Sequence, residues 1–160
     1  MAYQAAVVIL SDRVAGGTRE DGCIPVVREV LGDAFELAYT SVLPDEPAAL
    51  QAELIELCDR RRMPLVLTSG GTGLAPRDRT PQATAAILDY EVPGIGEAMR
   101  AASQAHVKTA MLSRAVAGVR GSSLIVNLPG SPKAVRETLA VVLPALPHAL
   151  ALLANDVTDG

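Results

Sequence analysis

Three glycines in four residues, within Thr68-Ser69-Gly70-Gly71-Thr72-Gly73, are the strongest chemical signal in this 160-residue chain. Such a loop lets the backbone approach a ligand closely, and successive N–H groups can form an anion-binding nest. Ser69 and the threonine hydroxyls add donors of the kind phosphate binding uses. No Gly-Lys-Ser/Thr follows, which excludes a P-loop. The glycine spacing, and a place after the third strand rather than the first, exclude the dinucleotide fingerprint. A tight strand-to-helix turn is the alternative.

Further on, Pro76-Arg77-Asp78-Arg79-Thr80-Pro81 sets a carboxylate between two cations. That grouping can hold Mg²⁺ on a phosphate chain while arginine neutralises it. Asp78 can equally pair with its neighbours or cap a helix beginning at Pro81. Asp45, two residues before Pro47, is either a helix N-cap or a second hard ligand for the metal. Lys133 lies two residues after Ser131, where it meets a phosphate at a helix N-terminus or is plain surface. His106 and His148 lack a carboxylate or serine partner at useful spacing, and no Ser/His/Asp or Cys/His arrangement is visible, so acyl transfer is not indicated.

These residues need a frame. Ala5-Ala6-Val7-Val8-Ile9-Leu10 is a continuous apolar run of the kind buried on both faces of a parallel sheet. Val14 to Thr18 reads as a loop. Asp21 then caps a helix carrying Ile24, Val27, Val30 and Leu31, and Gly32 stops it. A second strand runs from Phe35 to Leu43. A helix follows with Leu50, Leu54, Leu57 and Cys58 on one face, and Arg60-Arg61-Arg62 falls near its C-terminus. Leu65-Val66-Leu67 is the third strand. A helix with Ala83, Ala86 and Ile87 inward begins at Thr80-Pro81, and another runs from Ile95 to Gln104. Arg114 to Arg120 and Leu124-Ile125-Val126 suggest a hairpin feeding a strand. Ser131 N-caps a last helix with Pro132 at its first position, carrying Val135, Leu139, Val142, Leu143 and Leu146 inward. Pro144 and Pro147 should kink or split it.

Alternating strands and helices predict a single three-layer α/β domain over residues 1–160, with a mostly parallel, Rossmann-like sheet flanked by helices. In such sheets ligands bind beyond the carboxyl ends of the strands. Four polar loops fall at those ends: Ser11-Asp12, Pro44-Asp45-Glu46, Thr68 to Thr80, and Asn127 to Lys133. The architecture therefore gathers all four around one pocket.

Composition narrows the function classes. Aromatics are 2 %, which is too few for a stacking platform on single-stranded nucleic acid. Lys and Arg number 14 against 18 Asp and Glu, with no basic stripe, so no nucleic-acid footprint is expected. Cys23 and Cys58 each sit in an apolar helical pattern without a second ligand, and read as reduced core thiols. The N-terminus lacks a basic leader, and no segment approaches ~18 unbroken apolar residues. A soluble, cytoplasmic protein without membrane partners is the expectation.

The combination of Thr68-Ser69-Gly70-Gly71-Thr72-Gly73, Arg77-Asp78-x-Thr80-Pro81 and Asn127-Leu128-Pro129-Gly130-Ser131-Pro132 resembles the molybdenum-cofactor biosynthesis domain. That is the fold of the bacterial Mog and MoaB proteins and of the G domains of gephyrin and its plant counterpart. Ser11-Asp12-Arg13, Pro44-Asp45-Glu46 and Leu112-Ser113-Arg114 fit as well, and the likeness runs to about Leu153. It implies adenylylation of molybdopterin: the dithiolene phosphate attacks the α-phosphate of Mg·ATP, releasing pyrophosphate.

By that resemblance Asp45 and Asp78 are the catalytic acidic pair and the Mg²⁺ ligands. Ser69, Gly70, Gly71, Thr72 and Gly73 cradle a phosphate, with Thr68, Arg77, Thr80 and Lys133 also at the nucleotide or substrate. Asn127, Pro129, Gly130 and Ser131 line the substrate pocket, with Ser11 and Asp12 at its edge. The resemblance further implies a homotrimer, or a hexamer as in MoaB proteins, and a downstream molybdenum insertase as partner. A MoaB-like paralogue that binds molybdopterin without useful turnover is the alternative. Two positions depart from the family pattern: Gln82 stands where Glu or Asp is usual, and Ser69 where Thr is.

Overall fold

The computed structural model describes residues 2–156. Six strands form one sheet in the order β2-β1-β3-β6-β5-β4. They are β1 (Tyr3–Leu10), β2 (Phe35–Leu43), β3 (Leu65–Ser69), β4 (Tyr90–Glu91), β5 (Ala117–Arg120) and β6 (Ser123–Leu128). The four strands β2, β1, β3 and β6 are parallel, and β5 and β4 continue the sheet antiparallel.

The apolar run of β1 explains itself once both faces are seen. Ala5, Val7 and Ile9 point into a core shared with α2 (Cys23–Leu31), α5 (Pro93–Gln104), α6 (Pro132–Val142) and α7 (Leu146–Leu153). Ala6, Val8 and Leu10 point to the other side, onto α3 (Pro47–Ile55) and Ala83 of α4 (Thr80–Ala85). Every second residue thus meets a different helical layer, and no face is left for polar side chains. The result is the three-layer α/β domain.

Local signals act as their chemistry requires. Asp21 caps α2 by accepting from the Cys23 N–H at 3.0 Å and the Ile24 N–H at 2.8 Å. Gly32 ends α2 at φ +62°. Ser131 Oγ accepts from the Ala134 N–H at 3.2 Å and starts α6 ahead of Pro132. Pro144 and Pro147 divide the last helix, with a 3₁₀ turn at Leu143–Ala145 between α6 and α7. Val135, Leu139, Val142 and Leu146 are buried, and Leu143 is half-buried against the same core.

Four local features differ from the sequence reading. The segment after β1 is not all loop, because Ser11 Oγ accepts from the Val14 N–H at 3.2 Å and nucleates the short α1 (Asp12–Ala15). Helix α4 stops at Ala85, so Ala86 and Ile87 lie in the turn beyond it. The two-residue β4 and a 3₁₀ turn at Lys108–Leu112 are too short to show periodicity in the sequence. Finally, the helical stretch Pro132–Leu153 is, at 22 residues, long and apolar enough by composition to cross a membrane. Its apolar stripe is instead occupied by the sheet, with Val135, Leu139, Leu146 and Leu150 buried there.

The register places the site. Leu10 pairs with Leu43, Ile9 with Ser69, and Ser69 with Leu128, so the carboxyl ends of all four parallel strands are nearly level. From β1 the chain moves to β2 on one side and to β3 on the other. The sheet therefore reverses its winding between β1 and β3, which is where a ligand crevice forms.

Candidate active site

The glycine loop leaves β3 pinned from beneath. The Gly70 N–H donates to Leu128 O at 3.1 Å, and Ser69 Oγ donates to Pro129 O at 2.7 Å. Thr68 and Ser69 are buried. Thr68 Oγ1 accepts from Asn127 Nδ2 at 2.9 Å, so both hydroxyls are engaged inside the protein. Asn127 is fully buried: its amide also donates to Thr84 Oγ1 at 3.1 Å, and its Oδ1 accepts from the Val116 N–H at 3.2 Å. Asn127→Ala strips partners from Thr68, Thr84 and Val116 together. It should destabilise the fold by about 2–3 kcal/mol, read as a lower denaturation midpoint at constant slope.

Gly70 and Gly71 adopt φ +106° and +69°, in the positive-φ region that L side chains rarely enter. A Cβ on Gly70 would strike the Leu10 carbonyl oxygen, and one on Gly71 would strike Thr80 Oγ1. Gly130 packs onto the loop, its missing Cβ 3.3 Å from Gly70 Cα. Thr80 closes the turn, its N–H donating to Gly71 O at 3.1 Å. Among the described residues, no protein acceptor takes the N–H groups of Gly71, Thr72 or Gly73. Three adjacent backbone donors are thus available for an anion.

Two carboxylates flank this stretch. Asp45 Oδ1 lies 3.5 Å from where a Gly71 Cβ would stand, and Asp78 Oδ2 lies 2.8 Å from the corresponding point on Gly73. Neither carboxylate caps the helix that follows it in sequence. The N-cap position of α3 falls on Glu46 and that of α4 on Arg79, both without a side-chain bond. Asp45 and Asp12 instead hold each other: the Asp12 N–H donates to Asp45 Oδ2 at 3.1 Å, and the Asp45 N–H to Asp12 Oδ1 at 2.9 Å. Asp78 Oδ2 accepts from the Ala75 N–H at 3.0 Å.

Electrostatics separate these acids. Partial burial lifts the Asp45 carboxyl above its ordinary range, against the hydrogen bond from Asp12, and repulsion from the Asp12 and Asp78 carboxylates adds to the rise. Asp12 moves the other way, held down by its bond to Arg77 and by the Asp45 N–H. Arg77 Nε donates to Asp12 Oδ2 at 2.7 Å, and its Nη2 donates to Asp12 Oδ1 at 3.0 Å and to Glu46 Oε1 at 2.9 Å. The cation expected beside the phosphates is therefore balanced by two acids, and it ties the three loops together.

Ser11 and Gly130 line one small pocket with Ser69 at the strand ends. Ser11 caps α1 and Ser131 caps α6, while Lys133 is exposed in the first turn of α6. Cys23 is buried as a thiol, yet it faces the site, its Sγ donating to Gly130 O at 3.4 Å. Cys58 lies in the opposite core, where burial pushes its thiol up to about 11. Among the described residues, no group of three or more His, Cys, Asp or Glu is placed to hold a metal ion.

Two features carried no signal strong enough to assign from sequence. A cavity of about 130 Å³ between α5 and α6 is lined by Met99, Ser103, Thr109, Ser113, Pro129 and Thr138. Pro129 joins it to the glycine loop. Arg114, in the motif Leu112-Ser113-Arg114, donates from Nε to Gly73 O at 2.9 Å and from Nη1 to Gln82 Oε1 at 2.8 Å. Gln82 thus points at an arginine rather than at the acid pair.

Residues 6–148 match the family described as the probable molybdopterin binding domain. The molybdopterin adenylyltransferase of Escherichia coli is 48 % identical over 143 residues, covering 87 % of this chain and 73 % of that protein. Its Helicobacter pylori namesake is 43 % identical over 151 residues, 92 % of this chain and 85 % of that one. Among solved structures, the molybdopterin biosynthesis enzyme MoaB of Thermus thermophilus superposes with TM-score 0.91 at 49 % identity, covering 96 % and 97 % of the two chains. The Mog protein of Mycobacterium ulcerans gives 0.88 at 39 % identity, covering 97 % and 99 %. The fold read from the residues upward is thus shared by relatives alike along nearly the whole chain, and the chain belongs to the molybdopterin-binding domain family of molybdenum-cofactor biosynthesis proteins.

Proposed function

We propose that this chain is a molybdopterin adenylyltransferase, and that the observation carrying the reading is the acid pair set across three unpaired N–H groups. A phosphate oxygen of molybdopterin attacks the α-phosphorus of ATP. A new P–O bond forms, the bond from the α-phosphorus to the α,β-bridging oxygen breaks, and pyrophosphate departs with that electron pair. The protein supplies no nucleophile, so its task is positioning and charge stabilisation. The Gly71, Thr72 and Gly73 N–H groups hold the phosphate chain. Thr68, Ser69, Asn127 and Thr80 fix that loop from behind, and Arg77 with Asp12 holds Asp45 in place. Ser11, Gly130, Ser131 and Lys133 border the substrate crevice, and the cavity beyond Pro129 receives the apolar face of the pterin, Ser103 and Ser113 offering hydroxyls.

The donor set fits magnesium. Asp45 and Asp78 are hard oxygen ligands on either side of the phosphate cradle, and Mg²⁺ is commonly held by one or two carboxylates plus substrate phosphates. When bound, the ion neutralises charge on the triphosphate and on departing pyrophosphate. Crowding of Asp45 by Asp12 and Asp78 is the repulsion a divalent cation relieves.

The test follows isotope through the reaction. With molybdopterin and Mg·ATP, label in the α-phosphate should appear in the molybdopterin product, and γ-label should appear only in pyrophosphate. γ-Label in the pterin product would mean phosphoryl transfer and overturn the reading. The raised Asp45 carboxyl adds a pH dependence. Protonation removes a metal ligand, so activity should fall as the medium is acidified through that raised range, and excess Mg²⁺ should move the acid limb to lower pH. A limb unaffected by Mg²⁺ would contradict metal ligation by Asp45.

The likeness to MoaB keeps the binding paralogue as the second reading, and turnover decides between the two. We further propose that residues 1–160 act as one unit, that the protein is cytoplasmic, and that it assembles as a homotrimer, or as a hexamer like MoaB proteins. The product passes to a molybdenum insertase.

A further inference from the structure

The guanidinium of Arg114 reaches three separate pieces of the site. Besides Gly73 O and Gln82 Oε1 it donates from Nη2 to the Asp78 carbonyl oxygen, and the Arg114 N–H donates to Thr72 O at 2.9 Å. Thr72 and Gly73 form the end of the anion cradle. Asp78 carries the carboxylate beside it, and Gln82 belongs to the first turn of α4. Between Gly73 and Asp78 the chain makes a turn closed on itself, the Asp78 N–H donating to Ala75 O at 2.9 Å and the Ala75 N–H to Asp78 Oδ2 at 3.0 Å. That turn fixes its own shape, while Arg114 bonds to both of its ends.

The charge of Arg114 is the second observation. Its three side-chain acceptors are neutral, two carbonyls and one amide, and among the described residues no carboxylate lies within ion-pair distance of it. Arg77 is balanced by Asp12 and Glu46. A half-buried guanidinium with neutral partners keeps its field in a region of reduced dielectric. A glutamate at position 82 would accept the same bond and cancel that field.

We propose that Arg114 is a positioning residue for adenylyl transfer: it sets the spacing between the Gly71–Gly73 cradle and the Asp78 carboxylate, and, because Gln82 is neutral, it leaves its positive charge to the polyphosphate of the nucleotide and to departing pyrophosphate. The inference rests on the adenylyl-transfer reading above.

The experiment compares the unaltered chain with Arg114→Met, Arg114→Lys and Gln82→Glu, reading turnover, calorimetric binding of Mg·ATP and Mg·pyrophosphate, and Tm. Arg114→Met should lose about 100-fold in kcat/KM, as expected for bonds made by a charged donor. Arg114→Lys keeps a point charge but not the three-way fork, so pyrophosphate affinity should recover while kcat stays low. Gln82→Glu should weaken pyrophosphate binding about fivefold at low salt without lowering Tm, and added salt should narrow that difference. Should Arg114→Met fail to fold, the other two variants decide. Unchanged pyrophosphate affinity in Gln82→Glu, or full kcat in Arg114→Lys, would overturn the proposal while adenylyl transfer stands. An unaltered chain that binds no nucleotide would overturn both.

Discussion

Asp78→Asn should lower kcat/KM for adenylyl transfer by about 10³-fold or more, the scale on which charge stabilisation acts in such sites. The amide oxygen can still accept from the Ala75 N–H, so the turn survives and only the ligand charge is lost. Asp45→Asn should act in the same direction, with one difference that separates chemistry from folding. The Asp45 carboxyl is raised in the folded state, so the fold holds that proton more tightly than the unfolded chain does. Stability from this group is fully present below its unfolded pKa and is lost as pH rises through the raised folded value. At neutral pH the ionised carboxylate therefore opposes folding. Asp45→Asn should raise the Tm of the metal-free protein slightly while abolishing turnover, and calorimetric melting with a turnover assay reads both. A fall in Tm would mean that the bond from the Asp12 N–H outweighs burial and repulsion.

Gly70→Ala should damage the fold severely. The new Cβ meets the Leu10 carbonyl oxygen at a residue with φ +106°, and Leu10 ends a strand paired with β2. Neither backbone can withdraw without breaking the register that levels the four strand ends. The expected loss is about 3–5 kcal/mol, near the limit for a point change, together with loss of nucleotide binding. Gly121→Ala is the control: its φ is +58°, but its Cβ would enter open space, so about 1 kcal/mol is expected. Urea unfolding of the two variants against the unaltered chain measures the contrast. Equal losses would mean that conformation alone, without the Leu10 contact, governs the loop.

Much of this was legible because the decisive signals are local. The β1 run, the Asp21 and Ser131 caps, Gly32, and the prolines at 144 and 147 each fix their own few residues, and the strand ends follow. The glycine loop was legible for the same reason, since its conformation is a property of Gly70 and Gly71 themselves.

What could not be read is non-local. Arg77 looked like a phosphate ligand because Asp78 and Arg79 adjoin it, but its partners Asp12 and Glu46 lie 65 and 31 residues away. Asp45 resembled an N-cap, yet it bonds the backbone of Asp12, 33 residues distant. The cavity beyond Pro129 is assembled from α5, α6 and the turn before β5, none of which carries a ligand-binding motif alone. Gln82 is intelligible only beside Arg114, 32 residues on.

The most direct measurement is pyrophosphate release by the purified chain with Mg·ATP, in the presence and absence of molybdopterin, with the pterin product followed by mass. Release should require both molybdopterin and magnesium, with one pyrophosphate formed for each adenylyl-molybdopterin. Molybdopterin bound without release, or release indifferent to molybdopterin, would contradict it.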